Sequence, residues 1–229
     1  MGKRYGQFCP VAMAAEVLCE RWVPLVLREV MYGSTRFNEI ARGVPLMSRG
    51  LLTQRLRELQ DANIVRKAAA GYQLTEAGEA LRPVIEGMGL WAQHWLRRGL
   101  DEQDLDDKLL MWSLRRSLRL PEDIGRRVVL RFDFHGLPRG ARLARRSWWL
   151  LAHRPDDVEI CVKDPGYEID LVVVADLRAF TEVVLGRRPL PGALREGCVK
   201  VQGQPALVRA LPRWLPLNGE AMRSMGLAR

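Results

Sequence analysis

Cysteine is scarce and scattered: Cys9, Cys19, Cys161 and Cys198 form no C-x-x-C pair. That spacing writes neither a zinc site nor a disulfide framework and favours a reducing compartment. Histidine is scarcer, and His94, His135 and His153 lack the i,i+4 or clustered arrangement that a metal needs. No G-x-S-x-G, Walker A or G-x-G-x-x-G segment occurs, so the expectation is a protein without catalytic residues, metal or cofactor. Asp156 and Asp157 beside His153 mimic an acid–base group, but their place between two strand-like runs reads as a turn. Long apolar runs are missing too. The densest, Leu171 to Ala175, falls far short of the roughly 18 to 20 residues of a membrane span. Lys3-Arg4 followed by VAMAA begins like a signal peptide, yet Glu16, Glu20 and Arg21 close the apolar stretch early, so a cytoplasmic protein is expected.

What is present is an ordinary globular composition, 48% apolar and 28% charged, over 229 residues. That length suits two domains of roughly 100 residues each. The net charge of +9 is shared: residues 1 to 100 hold 14 Lys/Arg against 9 Asp/Glu, and the remainder 22 against 18. A basic balance in both halves suits a polyanionic partner, double-stranded DNA being the candidate the motifs support.

The first half reads as helices closed by a small ribbon. Pro10 opens a helix with Val11, Ala14, Ala15 and Leu18 at helical spacing. RWVPLVLREVMYG follows as a short core helix with Trp22, Leu25, Val26, Val30 and Met31 on one side, stopping at Gly33. Ser34-Thr35 offers an N-cap for RFNEIAR. Gly43 and Pro45 then make a tight turn, and Ser48 caps RGLLTQRLRELQDAN, a helix-turn-helix pattern. Ile64 to Lys67, a turn AAAG and Tyr72 to Leu74 read as a two-stranded wing. Thr75 caps a long final helix with an apolar series Leu81, Val84, Ile85, Met88, Trp91 and Trp95, bent or broken by Pro83 and two glycines.

At 100° per residue the helix after Ser48 gathers Leu52, Leu56 and Leu59 on one side and Gly50, Thr53, Gln54 and Arg57 on the other. Gly50 and Thr53 are small where a groove must come close. Gln54 and Arg57 carry the amide and guanidinium that bond base edges in pairs. Ser48 and Arg49 sit at the positive helix end, suited to phosphate. Arg36 and Arg42 before it, and Arg66 and Lys67 on the wing, are expected to hold the backbone and so position the duplex without reading it. Polar residues opposite a leucine stripe also describe any solvated helix. The ordered set of short helix, turn, longer basic helix and basic ribbon carries the assignment. Arg55 lies at the margin of the buried face and reads as a structural ion-pair partner.

The segments CPVAMAAEVLCERW, LVLREVMYGSTRFNEI, PLMSRGLLTQRLRELQDANIV, YQLTEAG and the following Trp91, over roughly residues 8 to 95, resemble the HxlR-type winged-helix regulators of bacteria. The resemblance implies a homodimer built through the first and last helices, with two recognition helices about one DNA turn, roughly 34 to 36 Å, apart on a pseudo-palindromic operator. It also makes Cys9 a candidate redox switch, since several relatives sense oxidants or electrophiles through a cysteine there. Cys9 sits at a helix start, where the macrodipole favours an anion. Cys19, ten residues on, would lie about 15 Å away along a continuous helix, too far for an intrachain bridge.

An acidic stretch at 101 to 108 separates the halves and is expected to begin a linking helix through LLMWSLRRSLRL to Pro121. The domains are therefore read as 1–101 and 102–229. RRVVLRFDFHG, SWWLLAHR, DVEICVKD and YEIDLVVVA read as four strands, LRAFTEVVLG as a helix, GCVKVQG as a fifth strand and QPALVRALPRWL as a closing helix. The fold class is thus α+β, a winged helix-turn-helix followed by an α+β domain with a roughly five-stranded sheet. LRAFTEVVLGRRPLPGALREGCVKVQGQPALVRALPRWL resembles the end of a sterol carrier protein type 2-like domain, the similarity spanning about residues 105 to 217. It implies an apolar tunnel and an apolar or lipid-like small-molecule ligand whose contact residues the sequence does not name. Trp148 and Trp149, adjacent on a strand, must face opposite ways, so that only one is expected in the core. Trp149, Phe180 and Leu211 read as packing residues.

Overall fold

The computed structural model describes residues 5–96, 98–118, 120, 125–138, 146–154 and 157–215. The chain divides into two compact units, Met1–Ala92 and Gln93–Arg229.

The first unit opens with α1 (Pro10–Leu18), α2 (Val23–Met31), α3 (Phe37–Gly43) and α4 (Arg49–Asp61). The wing β1 (Val65–Ala68) and β2 (Gly71–Leu74) follows, then α5 (Glu76–Glu79) and α6 (Arg82–Trp95). Its core gathers Val26, Leu27, Ile40, Leu52, Leu56 and Leu59, which are almost wholly removed from water. α2 differs from its expected face. Leu27 and Glu29 are buried while Leu25 is exposed, because this helix runs through the middle of the unit with neighbours on several sides, so no single stripe describes it. α4 ends where Asn63 takes a left-handed φ of 54°, a conformation asparagine tolerates better than most residues. The expected Ser34-Thr35 cap is not formed. Glu39 reaches back instead, its Oε2 accepting from the backbone N–H of Thr35 at 3.1 Å and Arg36 at 3.0 Å, while Ser34 is buried and donates its hydroxyl to Glu29.

The wing is antiparallel, with Arg66 opposite Gln73 and Lys67 opposite Tyr72. Gly71 has a φ of 117°, and a side chain there would strike the Thr35 carbonyl, to which Tyr72 donates its backbone N–H at 2.7 Å. The ribbon is thereby held against the turn that leads into α3. Thr75 does cap the next helix, accepting from the Gly78 N–H at 3.1 Å. The expected long helix is two, parted at Ala80 and Leu81, since Pro83 lacks an N–H and crowds the preceding turn, and is best placed in a first turn.

The second unit begins with a single 3-10 turn at Glu102–Asp104 and α7 (Asp107–Ser117). The acidic stretch is therefore not one helix: Asp106 interrupts it as an N-cap, its Oδ1 accepting from the N–H groups of Lys108 and Leu109. Of the expected linking helix, Arg119 and Pro121 lie outside the described residues. Then come β3 (Val128–His135), β4 (Arg146–Arg154), β5 (Asp157–Cys161), β6 (Leu171–Asp176), α8 (Leu177–Val184), α9 (Leu190–Arg195), β7 (Val199–Gly203) and α10 (Pro205–Trp214). The five strands lie in the order β5-β4-β3-β6-β7. β3 and β6 run parallel and the other pairs antiparallel. The α+β expectation with five strands holds. The short helix α9 lies in a stretch for which no element was expected, and Pro191 occupies a first-turn position in it.

One sheet face packs against the helices. Phe132, Phe134 and Phe180 meet there with ring centroids 5.7 to 6.2 Å apart, and Trp148, Leu211 and Trp214 join them. Trp148 and Trp149 do point to opposite faces, and of the two only Trp148 enters the main core, although Trp149 is buried as well. Trp149 is 9% exposed, in a separate cluster with Val129 and Leu151 on the other face. An indole and two aliphatic side chains on neighbouring strands cover one another even on that second face.

Candidate nucleic-acid interface

α4 is capped as its sequence suggests: Ser48 Oγ accepts from the Leu51 N–H at 3.3 Å. Leu52, Leu56 and Leu59 are each 1% exposed, which turns Arg49, Gly50, Gln54 and Arg57 into solvent and leaves Thr53 half-buried. Thr53 donates its hydroxyl to the Arg49 carbonyl at 3.0 Å, so its proton is already used within the helix. No neighbour lies within 4 Å of the place a side chain would take at Gly50, and the helix start is open to close approach.

Arg49 is held from α3. Its Nη1 donates to Asn38 Oδ1 at 2.9 Å and its guanidinium lies 5.8 Å from the Phe37 ring. Asn38, Ala41, Arg42, Pro45, Met47 and Arg49 line an open depression of about 580 Å³ beside this helix start. Two exposed cations and the free N–H groups of a helix N-terminus make that corner suited to phosphate oxygens. Arg36 is the exposed N-cap residue of α3. On the wing, Arg66 donates to Gln73 Oε1 at 3.2 Å and Lys67 is exposed. All ten expected contact residues thus lie in one unit, eight of them on two successive helices and their caps and two on the wing.

Arg55 is an ion-pair residue, as read from its position. Its Nη2 meets Glu20 Oε2 at 2.7 Å, its Nη1 meets Glu58 Oε2 at 2.6 Å and its Nε donates to the Arg21 carbonyl. Burial would raise the Glu58 carboxyl, but bonds from Arg55 and Gln54 and the Arg55 charge outweigh it and hold the group below the usual carboxylate range. Sequence reasoning passed over Asn38, Phe37 and Glu58. The i,i+3 and i,i+4 spacing from Arg55 and Gln54 was a readable signal for Glu58. Nothing in the sequence pointed to Asn38.

Cys9 is the N-cap residue of α1 and half-buried; Cys19 stands exposed at the other end of that helix, and all four cysteines are free. Burial pushes the Cys161 thiol up, which makes it a poor nucleophile. α1 and α6 bury none of their residues. Phe8, Val11, Met88, Trp91 and Trp95 are 50 to 99% exposed.

In the second unit, Asp107 accepts from Arg146 at 2.8 and 3.1 Å and from the Trp148 indole at 2.7 Å. An open depression of about 320 Å³ beside it is lined by Leu105, Asp107, Lys108, Leu137, Pro138 and Arg146, with Glu102, Gln103 and Asp106. His135 lies 3.9 Å from Asp176 and His153 3.9 Å from Glu159. Asp156 lies outside the described residues. Among the described residues no group of three His, Cys, Asp or Glu could hold a metal, and no helix is long and apolar enough to cross a membrane.

Residues 17–100 match the HxlR-like helix-turn-helix family. The HTH-type transcriptional regulator YvaP of Bacillus subtilis is 33% identical over 98 residues, 39% of this chain and 91% of that protein. The HTH-type transcriptional regulator YodB of the same organism is 34% identical over 99 residues, 40% of this chain and 88% of YodB. Among solved structures, quinone-bound YodB is similar at 37% identity over 38% of this chain and all of its own, with a TM-score of 0.36. The apo form of Sterol Carrier Protein 2 from Yarrowia lipolytica is similar at 21% identity over 38% of this chain and 65% of its own, with a TM-score of 0.31, a likeness too slight to bear on a ligand.

Proposed function

This chain belongs to the HxlR-like helix-turn-helix family of transcriptional regulators, and from that premise we propose that it acts in the cytoplasm as a homodimer on a pseudo-palindromic operator. The observation that carries the proposal is the face of α4. A leucine stripe anchors the helix, Ser48 caps it, and Arg49, Gly50, Gln54 and Arg57 are exposed on the side that would enter a major groove. Arg36, Arg66 and Lys67 flank that face as phosphate contacts. The exposed apolar side chains of α1 and α6 support pairing with a second copy, which would hide them from water.

The 102–229 domain, in this proposal, takes an apolar or lipid-like small molecule that shifts the dimer between DNA-competent and incompetent states. Such a ligand acts only through unequal affinity for the two. A lipid carrier that uses its winged helix merely to dimerise would show no preference for an operator. The test is a fluorescence-anisotropy titration of the purified protein against DNA from its own upstream region, with scrambled competitor. Gln54→Ala and Arg57→Ala should each weaken operator binding by about 1 to 3 kcal/mol with the fold intact. Unchanged affinity in both would move the reading contacts to the wing.

A second reading, a thiol-based sensor of oxidants or electrophiles, is favoured by Cys9 at the start of α1, and its relative YodB has been solved quinone-bound. Cys9→Ser should then keep operator affinity while abolishing release of DNA by diamide or a quinone. Release that persists in Cys9→Ser removes this reading.

A further inference from the structure

Gln54 is not a free side chain on the groove face. Its Nε2 donates to Glu58 Oε1 at 2.9 Å, one helical turn on. The other Glu58 oxygen is taken by Arg55 at 2.6 Å. Arg55 is itself anchored beyond the helix by Glu20 Oε2 at 2.7 Å and the Arg21 carbonyl at 3.2 Å, both in the turn after α1. With only 11% of its side chain exposed, it spends Nε, Nη1 and Nη2 on three different partners, and a planar guanidinium so bound cannot swivel.

We propose that Glu58 is the positioning residue that commits the amide of Gln54 to reading adenine, with Arg55 holding Glu58 in place; the inference rests on α4 being the DNA-reading helix. A carboxylate only accepts hydrogen bonds, so the amide must aim its nitrogen at Glu58 and its oxygen away. What remains for a ligand is Oε1 beside the second N–H of Nε2. That pair, acceptor next to donor, complements the N6 amino group and N7 of adenine in the major groove. Without the carboxylate the amide can turn end over end, and the same side chain offers its two groups in either order. Glu58 therefore acts on sequence preference, not on attraction to DNA. As an anion on the reading helix it opposes phosphate, so its removal leaves general affinity the same or higher.

The experiment is selection of the full-length protein against a pool of duplexes with a random core, followed by sequencing, for wild type, Gln54→Ala, Glu58→Ala and Glu58→Gln. Wild type should enrich a motif with adenine at one position per half-site, and Gln54→Ala should identify that position by erasing its preference. Glu58→Ala and Glu58→Gln should each lower the adenine preference there by about tenfold, the scale of one bidentate base contact, and leave the other positions as in wild type. Glu58→Gln keeps the side chain's size and helix propensity, so a loss shared by both variants is not a folding defect. A wild-type motif whose Gln54-dependent position is not adenine, or an adenine preference that survives in both Glu58 variants, overturns the inference and leaves the regulator reading standing. A wild-type protein that enriches no motif overturns the regulator reading, and this inference with it.

Discussion

Raising salt from about 50 to about 200 mM is expected to weaken operator binding by about 10³ to 10⁵, the loss that accompanies release of counterions from six to ten phosphates. That loss is set by the exposed cations around α4. Arg36, Arg49, Arg66 and Lys67 flank its reading face, and a dimer doubles them to eight. Neutralising that many phosphates dominates the response to salt, whereas base contacts by Gln54 and Arg57 add sequence preference with little salt dependence. Each cation removed, Lys67→Ala for example, should flatten the slope of log affinity against log salt by about one unit per site, hence about two per dimer, and weaken all sequences alike. Gln54→Ala should leave the slope untouched. A wild-type slope near zero would mean that these cations face no phosphate, and the interface assigned to α4 and the wing would have to be abandoned.

Gly43→Ala should destabilise the N-terminal unit by about 3 kcal/mol, the cost of forcing an atom into a filled core site. Gly43 closes α3 directly against Glu29 of α2, and a Cβ there would overlap the Glu29 carboxylate. That carboxylate has nowhere to retreat. Glu29 is 0% exposed, accepts from Arg28 at 2.8 and 3.2 Å and from Ser34 at 3.4 Å, and Arg28 also donates to the Gly43 carbonyl at 3.0 Å. The knot joins α2 to α3, the helix that supports Arg49 at the reading face, so operator binding should fall with stability. Calorimetry reads the effect as an earlier transition for this unit alone, since a two-unit chain need not unfold in one step. In a Glu29→Ala background the penalty should shrink by more than about 1 kcal/mol, as expected for two groups in contact. A penalty of the same size in both backgrounds would show that the clash is not its cause. Gly50→Ala is the control. That glycine is exposed in open space at the start of α4, and alanine there should be neutral or slightly stabilising.

Much of this was legible in one dimension because local rules agree with the fold. Ser48 before Arg49 and the period of Leu52, Leu56 and Leu59 each act within a few residues, and each appears as read. The alternation in LRFDFH and the short apolar run WWLLA announced strands for the same reason. Where a remote partner intervened, the sequence misled. Leu25 and Leu27 are equally apolar, and only the crowding around α2 decides which one is buried. Ser34 was misread for a local reason: Glu39 caps the helix from within one turn, and the serine turns inward to Glu29.

The sequence by itself determined the helix-turn-helix and wing of the first unit, the cap and buried stripe of α4, the identity of the residues on its open face and the α+β class of the second unit. Each depends on backbone periodicity and short-range hydrogen bonding, which a chain carries wherever it goes. Tertiary structure alone decided that β6 lies parallel beside β3, that Trp149 finds cover on the second face of the sheet and that Asn38 steadies Arg49. It also decided that Arg55 ties Glu58, and through it Gln54, to the turn after α1. Those outcomes depend on which distant groups are brought within about 3 to 4 Å, and such reach is a property of the folded core, with no period to announce it.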